Sequence, residues 1–156
     1  KENFINKYPT AKELSGDKAQ EIKKIIKPLG LQNKKSKDLK EMAKRLLSEF
    51  DGEVPSSVKN MKKLPRVSDY VANAVQIFRR GEILPLLDVN TRRVFSRVFS
   101  LSGDKEVEKK LEKEAPKGRI KDFYYAIIDL GGNICTKKNP SCSMCPLSSD
   151  CNYIAG

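Results

Sequence analysis

The residues best suited to chemistry lie at the end of the chain. All four cysteines of the 156-residue sequence fall in one stretch, as Cys135, Cys142, Cys145 and Cys151. Six, two and five residues separate them. Four thiolates in one short loop can close on one metal centre. A [4Fe–4S] cube takes four cysteines, one per iron. Zinc also accepts four thiolates, but structural zinc sites usually join two separate Cys-x-x-Cys knuckles. Only Cys142 and Cys145 form such a pair. The iron–sulfur reading leads, and zinc stays open as the alternative. Two disulfides fit badly, because four cysteines in a chain of this size and composition do not make a secreted disulfide scaffold.

Asp88 is the second candidate. It stands just ahead of a segment with Val94, Phe95, Val98 and Phe99 at helical spacing. The partial positive charge of a helix N-terminus favours an ionised carboxylate there. An ordinary N-cap aspartate would occupy the same place, and position alone does not separate the two.

Composition narrows the partners. Lysine and arginine total 31 against 20 aspartate and glutamate, a net charge of +11. That balance favours a polyanion, nucleic acid first, although lysine-rich surfaces also occur without one. Histidine is absent, which removes imidazole catalysis and His-ligated metals. No apolar run reaches the roughly 18 residues of a membrane span.

The elements that must position these residues read as helices. Ala19, Ile22, Ile25, Ile26 and Leu29 form one apolar stripe, ended by Gly30. Leu39, Met42, Ala43, Leu46, Leu47 and Phe50 form a second. Residues 33–37 between them read as a basic turn. Ser56 or Ser57 can cap a short helix carrying Val58, Met61 and Leu64. A hairpin at 65–69 leads into a helix whose buried face is read as Val71, Ala74, Val75 and Phe78. Asp104 opens a helix with Val107, Leu111 and Ala115 inward. Ile120, Phe123, Tyr124 and Ile127 mark a last long helix, ended by Gly131 and Gly132. No segment alternates as a strand, so the expected class is all-α.

The cysteine spacing resembles the cluster loop of the endonuclease III superfamily of DNA base-excision glycosylases. The flanking text agrees: AIIDLGGNICT at 126–136, Pro140, and CPL at 145–147. The stretch LPRVSDYVA at 64–72 is similar to the superfamily's helix-hairpin-helix, which reads Leu-Pro-Gly-Val-Gly. LDVN at 87–90, with Arg93, resembles its catalytic-aspartate segment. The resemblance implies a helix-hairpin-helix glycosylase fold with a C-terminal [4Fe–4S] loop on all four cysteines. It divides the chain into a lobe at 1–101, with the hairpin motif at about 58–79, and C-terminal helices with the cluster loop at 102–156. It also implies that an N-terminal part of the family fold would precede Lys1.

Function follows by the same resemblance. Asp88 would stabilise a sugar of oxocarbenium character or align water against it, after the base has left the stack. Tyr70 stands where bifunctional members carry a nucleophilic lysine, and a tyrosine cannot form a Schiff base. The thymine/uracil-mismatch branch has tyrosine there. The expected enzyme is therefore a monofunctional DNA glycosylase for thymine or uracil opposite guanine, without lyase activity. An adenine glycosylase for A:G or A:8-oxoguanine pairs, and a non-catalytic iron–sulfur DNA-binding module, are the alternatives. DNA contacts are expected from Pro65, Arg66, Val67, Ser68, Asp69, Asn90, Lys137 and Lys138. The expected partner is duplex DNA, with no membrane and a monomer unless another chain supplies the N-terminal part; the expected compartment is the cytoplasm, at the nucleoid. Arg66 and Ser68 replace two glycines usual in the hairpin, so its phosphate grip is expected to differ.

Overall fold

The computed structural model describes residues 2–30 and 32–155. Among them all regular secondary structure is helical, with no strand. The helices are α1 (Glu2–Lys7), α2 (Ala11–Gly16), α3 (Ala19–Ile26), α4 (Gln32–Phe50), α5 (Val58–Met61), α6 (Asp69–Arg80), α7 (Val89–Phe99), α8 (Asp104–Glu114), α9 (Ile120–Asn133) and α10 (Asn152–Ala155). They pack as two compact units, Lys1–Asp69 and Tyr70–Gly156. The sequence reading set its boundary after residue 101, but α7 packs on both α8 and α9, which keeps all three in the second unit.

In the first unit, α3 and α4 pack together and α2 joins α4. Ile22 and Ile26 are buried beside Tyr8, with Phe4, Leu14, Ile25 and Leu39 around them. The Tyr8 hydroxyl donates to Asp17 Oδ2 at 2.7 Å, and Lys7 pairs with the same carboxylate. These partners, Tyr8 first, pull the Asp17 carboxyl down to about 2.

Two readings in this unit need correction. Residues 34–37 lie in the first turns of α4 and are not a turn. Lysine is a good helix former, and a basic exposed run suits a solvated helix face as well as a loop. Leu47 is exposed, whereas Ala43 and Leu46 are buried. The side chains of Leu29 and Asn33 lie outside the described residues, as does Lys1.

The second unit is built on a core of Ile77, Leu86, Val94, Phe95, Val98, Val107, Leu111, Ile120, Tyr124 and Ile127. The buried face of α6 is Ala72, Gln76 and Ile77. The expected stripe is offset from it: Val71 is exposed and Val75 half-buried, while Ala74 and Phe78 are half-buried and pack against the core. A buried glutamine is the reason, since apolar periodicity passes over a polar side chain that faces inward.

Gly131 and Gly132 do not end α9, which runs on to Asn133. Gly131 has a packing duty instead. A Cβ placed there would lie 2.7 Å from Asn90 Cβ and 3.2 Å from Asn90 Cα. Only glycine lets α9 approach the first turn of α7 so closely.

The segment 81–88 has no regular secondary structure and carries the chain from α6 to Asp88. Tyr124 holds it from α9. Its hydroxyl donates to Leu84 O at 2.7 Å and accepts from Leu86 N at 3.0 Å. Asn73 Nδ2 adds a bond to Pro85 O at 2.9 Å. Burial pushes the Tyr124 phenol up to about 12.

A raised folded value means that this group's stabilisation is whole below the free tyrosine value near 10 and fades as pH climbs through about 12. Tyr124→Phe removes the acceptor of a buried amide and should cost about 1–3 kcal/mol at neutral pH. The gap in denaturation midpoint between wild type and Tyr124→Phe should close as pH rises from 10 to 12. A gap that stays constant over that range would contradict the assignment.

Candidate active site and cysteine centre

Asp88 caps α7. Its Oδ1 accepts from Thr91 N at 2.7 Å and from Thr91 Oγ1 at 2.6 Å, and Thr91 is fully buried. The capping alternative raised by the sequence is thus part of the geometry. It does not consume the carboxylate: among the described residues Oδ2 accepts no hydrogen bond. One oxygen is pinned and the other is left for a further partner. The half-buried carboxyl is aimed by a helix N-terminus and a buried threonine.

Tyr70 lies in the first turn of α6 and is 40% exposed. Burial, and then the Asp88 carboxylate, push its phenol above the ordinary tyrosine value. The two groups are therefore near enough for the carboxylate charge to act on the phenol, and the phenol keeps its proton at neutral pH.

Asn90 is half-buried, with Oδ1 accepting from Arg93 Nη2 at 2.7 Å. Arg93 is the hub of this region. Its Nε donates to Cys135 O at 2.7 Å, Nη2 to Gly131 O at 2.6 Å, and Nη1 to Val89 O at 3.3 Å. The segment around Asp88 is thereby tied to the end of α9 and to the first cysteine. One turn further on, Arg97 donates to Thr136 O at 2.8 Å and Lys137 O at 3.2 Å. Sequence reasoning noted Arg93 only as a neighbour and missed Arg97 and Thr91. Two arginines four residues apart on one helix were the available signal.

The four cysteines are half-buried and not in disulfides. All four line one pocket, walled by Val94, Val98, Leu130 and Ile134. Among the described residues no group of three or more His, Cys, Asp or Glu side chains is set to hold a single metal ion. A four-iron cube takes one cysteine per iron, and four free thiols lining one pocket supply that donor set. Lys137 and Lys138, in the first gap of the loop, are exposed, and Thr136 Oγ1 donates to Lys138 O at 2.7 Å and braces the turn.

The hairpin belongs to the first unit. Ser57 caps α5 through Asn60 N at 3.2 Å, and α5 stops at Met61, short of the expected Leu64. Val67 N closes the turn on Leu64 O at 3.3 Å, across Pro65 and Arg66. Arg66 has φ +62, a left-handed backbone. The position usually held by glycine thus keeps its glycine-like geometry, at a cost of about 1–2 kcal/mol for a residue with a side chain. Arg66 Nε pairs with Asp38 Oδ2 at 3.2 Å. Asp69 pairs with Lys62, and Ser68 is exposed.

Comparison with known proteins agrees with this architecture. Residues 1–117 match the family model of the HhH-GPD superfamily of base excision DNA repair proteins. A thymine-DNA glycosylase of Aeropyrum pernix is 35% identical over 161 aligned positions, which cover 97% of this chain and 72% of that protein. A thymine/uracil-DNA glycosylase of Pyrobaculum aerophilum is 33% identical over 94% of this chain and 68% of its own length. The solved structure of a thermostable thymine-DNA glycosylase superposes with a TM-score of 0.92 at 30% identity, covering 99% of this chain and 74% of that one. With its helical fold, hairpin, capped aspartate and cysteine loop, this chain belongs to the HhH-GPD superfamily of base excision DNA repair proteins.

Proposed function

We propose that the chain is a monofunctional DNA glycosylase that removes thymine or uracil opposite guanine by hydrolysis. The carrying observation is that position 70, in the first turn of α6, holds a tyrosine and no lysine, within electrostatic reach of the Asp88 carboxylate that caps α7. Relatives named for thymine and for thymine/uracil support the choice of base. Uracil differs from thymine only by a methyl group, so a pocket shaped for the larger base admits the smaller.

Duplex DNA is the partner in this reading, and the charge of +11 favours it. Asp88 acts on the sugar of the extruded nucleotide. As the glycosidic bond lengthens, positive charge grows on the sugar, and the carboxylate opposes it. Thr91 holds the carboxyl in place while the charge develops. Tyr70 has no amine to form a Schiff base with the sugar, so in this reading water completes the reaction and the strand stays whole. Lys62, the nearest lysine in sequence but for Lys63, is engaged with Asp69. Arg66, Ser68, Lys137 and Lys138 contribute contacts to phosphate.

Cys135, Cys142, Cys145 and Cys151 would hold a [4Fe–4S] cluster. When bound, the cluster cross-links the C-terminal loop and supplies folding free energy. The chain's own residues do the rest: Arg93 and Arg97 fix the loop to α7.

Duplexes carrying G:T, G:U, A:G and A:8-oxoguanine distinguish the enzyme readings. Base release is expected from G:T and G:U, with strand breaks only after alkali and no borohydride-trapped adduct. Asp88→Asn should lower single-turnover release by about 10² or more while DNA binding persists. Release confined to the adenine mismatches would replace the proposal with an adenine glycosylase, and binding without any release would leave a DNA-binding module.

The purified protein should be brown, with about four irons and four sulfides per chain. Cys142→Ser should lose iron and colour, and its C-terminal unit should melt earlier. A colourless wild type carrying one zinc would select the zinc alternative, and a Cys142→Ser protein that stays brown would remove Cys142 from the ligands.

A further inference from the structure

We infer that Arg97 is a positioning residue that sets which charge state the metal centre of the cysteine loop favours. The inference rests on the cluster proposed above. Its basis is a contact that neither folding of α7 nor glycosidic cleavage calls for. Arg97 Nη1 points at the sulfur of Cys135, 3.4 Å away. The same guanidinium is locked in place by the carbonyls of Thr136 and Lys137, and it lies 4.6 Å from the centre of the Tyr153 ring. At the other side of the loop, the main-chain oxygen of Arg97 is 3.8 Å from Cys151 Sγ. One residue of α7 therefore touches both the first and the last cysteine.

A guanidinium has donors only and keeps its charge at every accessible pH. Directed at a ligating sulfur, it stabilises the electron-richer state of whatever that sulfur binds. Hydrogen bonds to cluster sulfurs and local net charge are two of the factors that fix the reduction potential of an iron–sulfur centre. Arg97 supplies both from one group. The side chain is half-buried against an apolar wall, where water screens its charge less than at the surface. Among the described residues no other cysteine sulfur accepts from a charged donor. The effect is thus applied at one corner of the centre. A lysine could keep the charge but not the fork that reaches a sulfur and two carbonyls together.

The midpoint potential of the bound centre, measured by film voltammetry on the full chain, reads this directly. Iron content and visible absorbance are recorded on the same samples. Arg97→Met should load iron and show a potential more negative than wild type. Arg97→Gln, which keeps amide donors without the charge, should shift in the same direction by less. A loaded Arg97→Met with the wild-type potential overturns the inference. Should Arg97→Met fail to load, a loaded Arg97→Gln at the wild-type potential overturns it equally. Loss of iron from both variants also overturns it, because Arg97 would then be a requirement for assembly and not a determinant of charge state. A wild-type protein without iron fails the cluster reading itself and is recognised before any potential is measured.

Discussion

The second unit depends on one guanidinium. Arg93 holds four acceptors at once: Val89 O and Asn90 Oδ1 on its own helix, Gly131 O at the end of α9, and Cys135 O at the start of the cysteine loop. Helix carbonyls at a C-terminus have no partner within the helix, and here an arginine from another helix supplies one. The fork geometry of the guanidinium is what allows a single side chain to do this. Gly131 makes it feasible by bringing α9 against Asn90 without a Cβ between them. The capped carboxylate at the head of α7 and the four thiols behind it are consequently fixed to one rod.

That arrangement explains how a small, highly charged chain can keep an acid aimed. Asp88 sits at the junction of an irregular segment and a helix, where backbone freedom would ordinarily be large. Three separate restraints remove it. Tyr124 and Asn73 hold the incoming segment from α9 and α6, Thr91 holds the carboxyl from inside the helix, and Arg93 holds the first turn from behind. All of the donors and acceptors involved are half-buried or buried, where leaving one unpaired costs more than at the surface. The first unit shows the opposite economy: its hairpin keeps a left-handed arginine at 66, and the Arg66–Asp38 pair is exposed enough on the arginine side to contribute little.

Much of this was legible in the residues. The cysteine loop was legible because all four cysteines of the chain share one short stretch at fixed spacing. Asp88 was legible as a helix start, and the structure makes it both a cap and a carboxylate with an unengaged oxygen. The misreadings share a cause: a residue type was read for its commonest use. Glycines at 131 and 132 looked like a terminator, yet Gly131 serves close packing. Lysines at 34–37 looked like a turn, yet they cover a solvated helix face. Gln76 hid the true inner face of α6, since periodicity counts apolar residues only. The role of Tyr124 escaped because its partners lie about forty positions away and are main-chain atoms, which no local pattern records.

The central claim is that the aspartate cap and the cysteine loop are ordered together through Arg93. Site-resolved amide hydrogen exchange on wild type and Arg93→Met tests it most directly. The Thr91 amide donates to Asp88, and the Cys135 amide donates to Leu130 O at 2.7 Å, so each reports one end of the linkage. The account predicts that both amides lose protection in Arg93→Met by a similar factor, about tenfold or more for the loss of a charge-assisted bond, while Leu111 in α8 is unchanged. Faster exchange at one end with full protection at the other would contradict it.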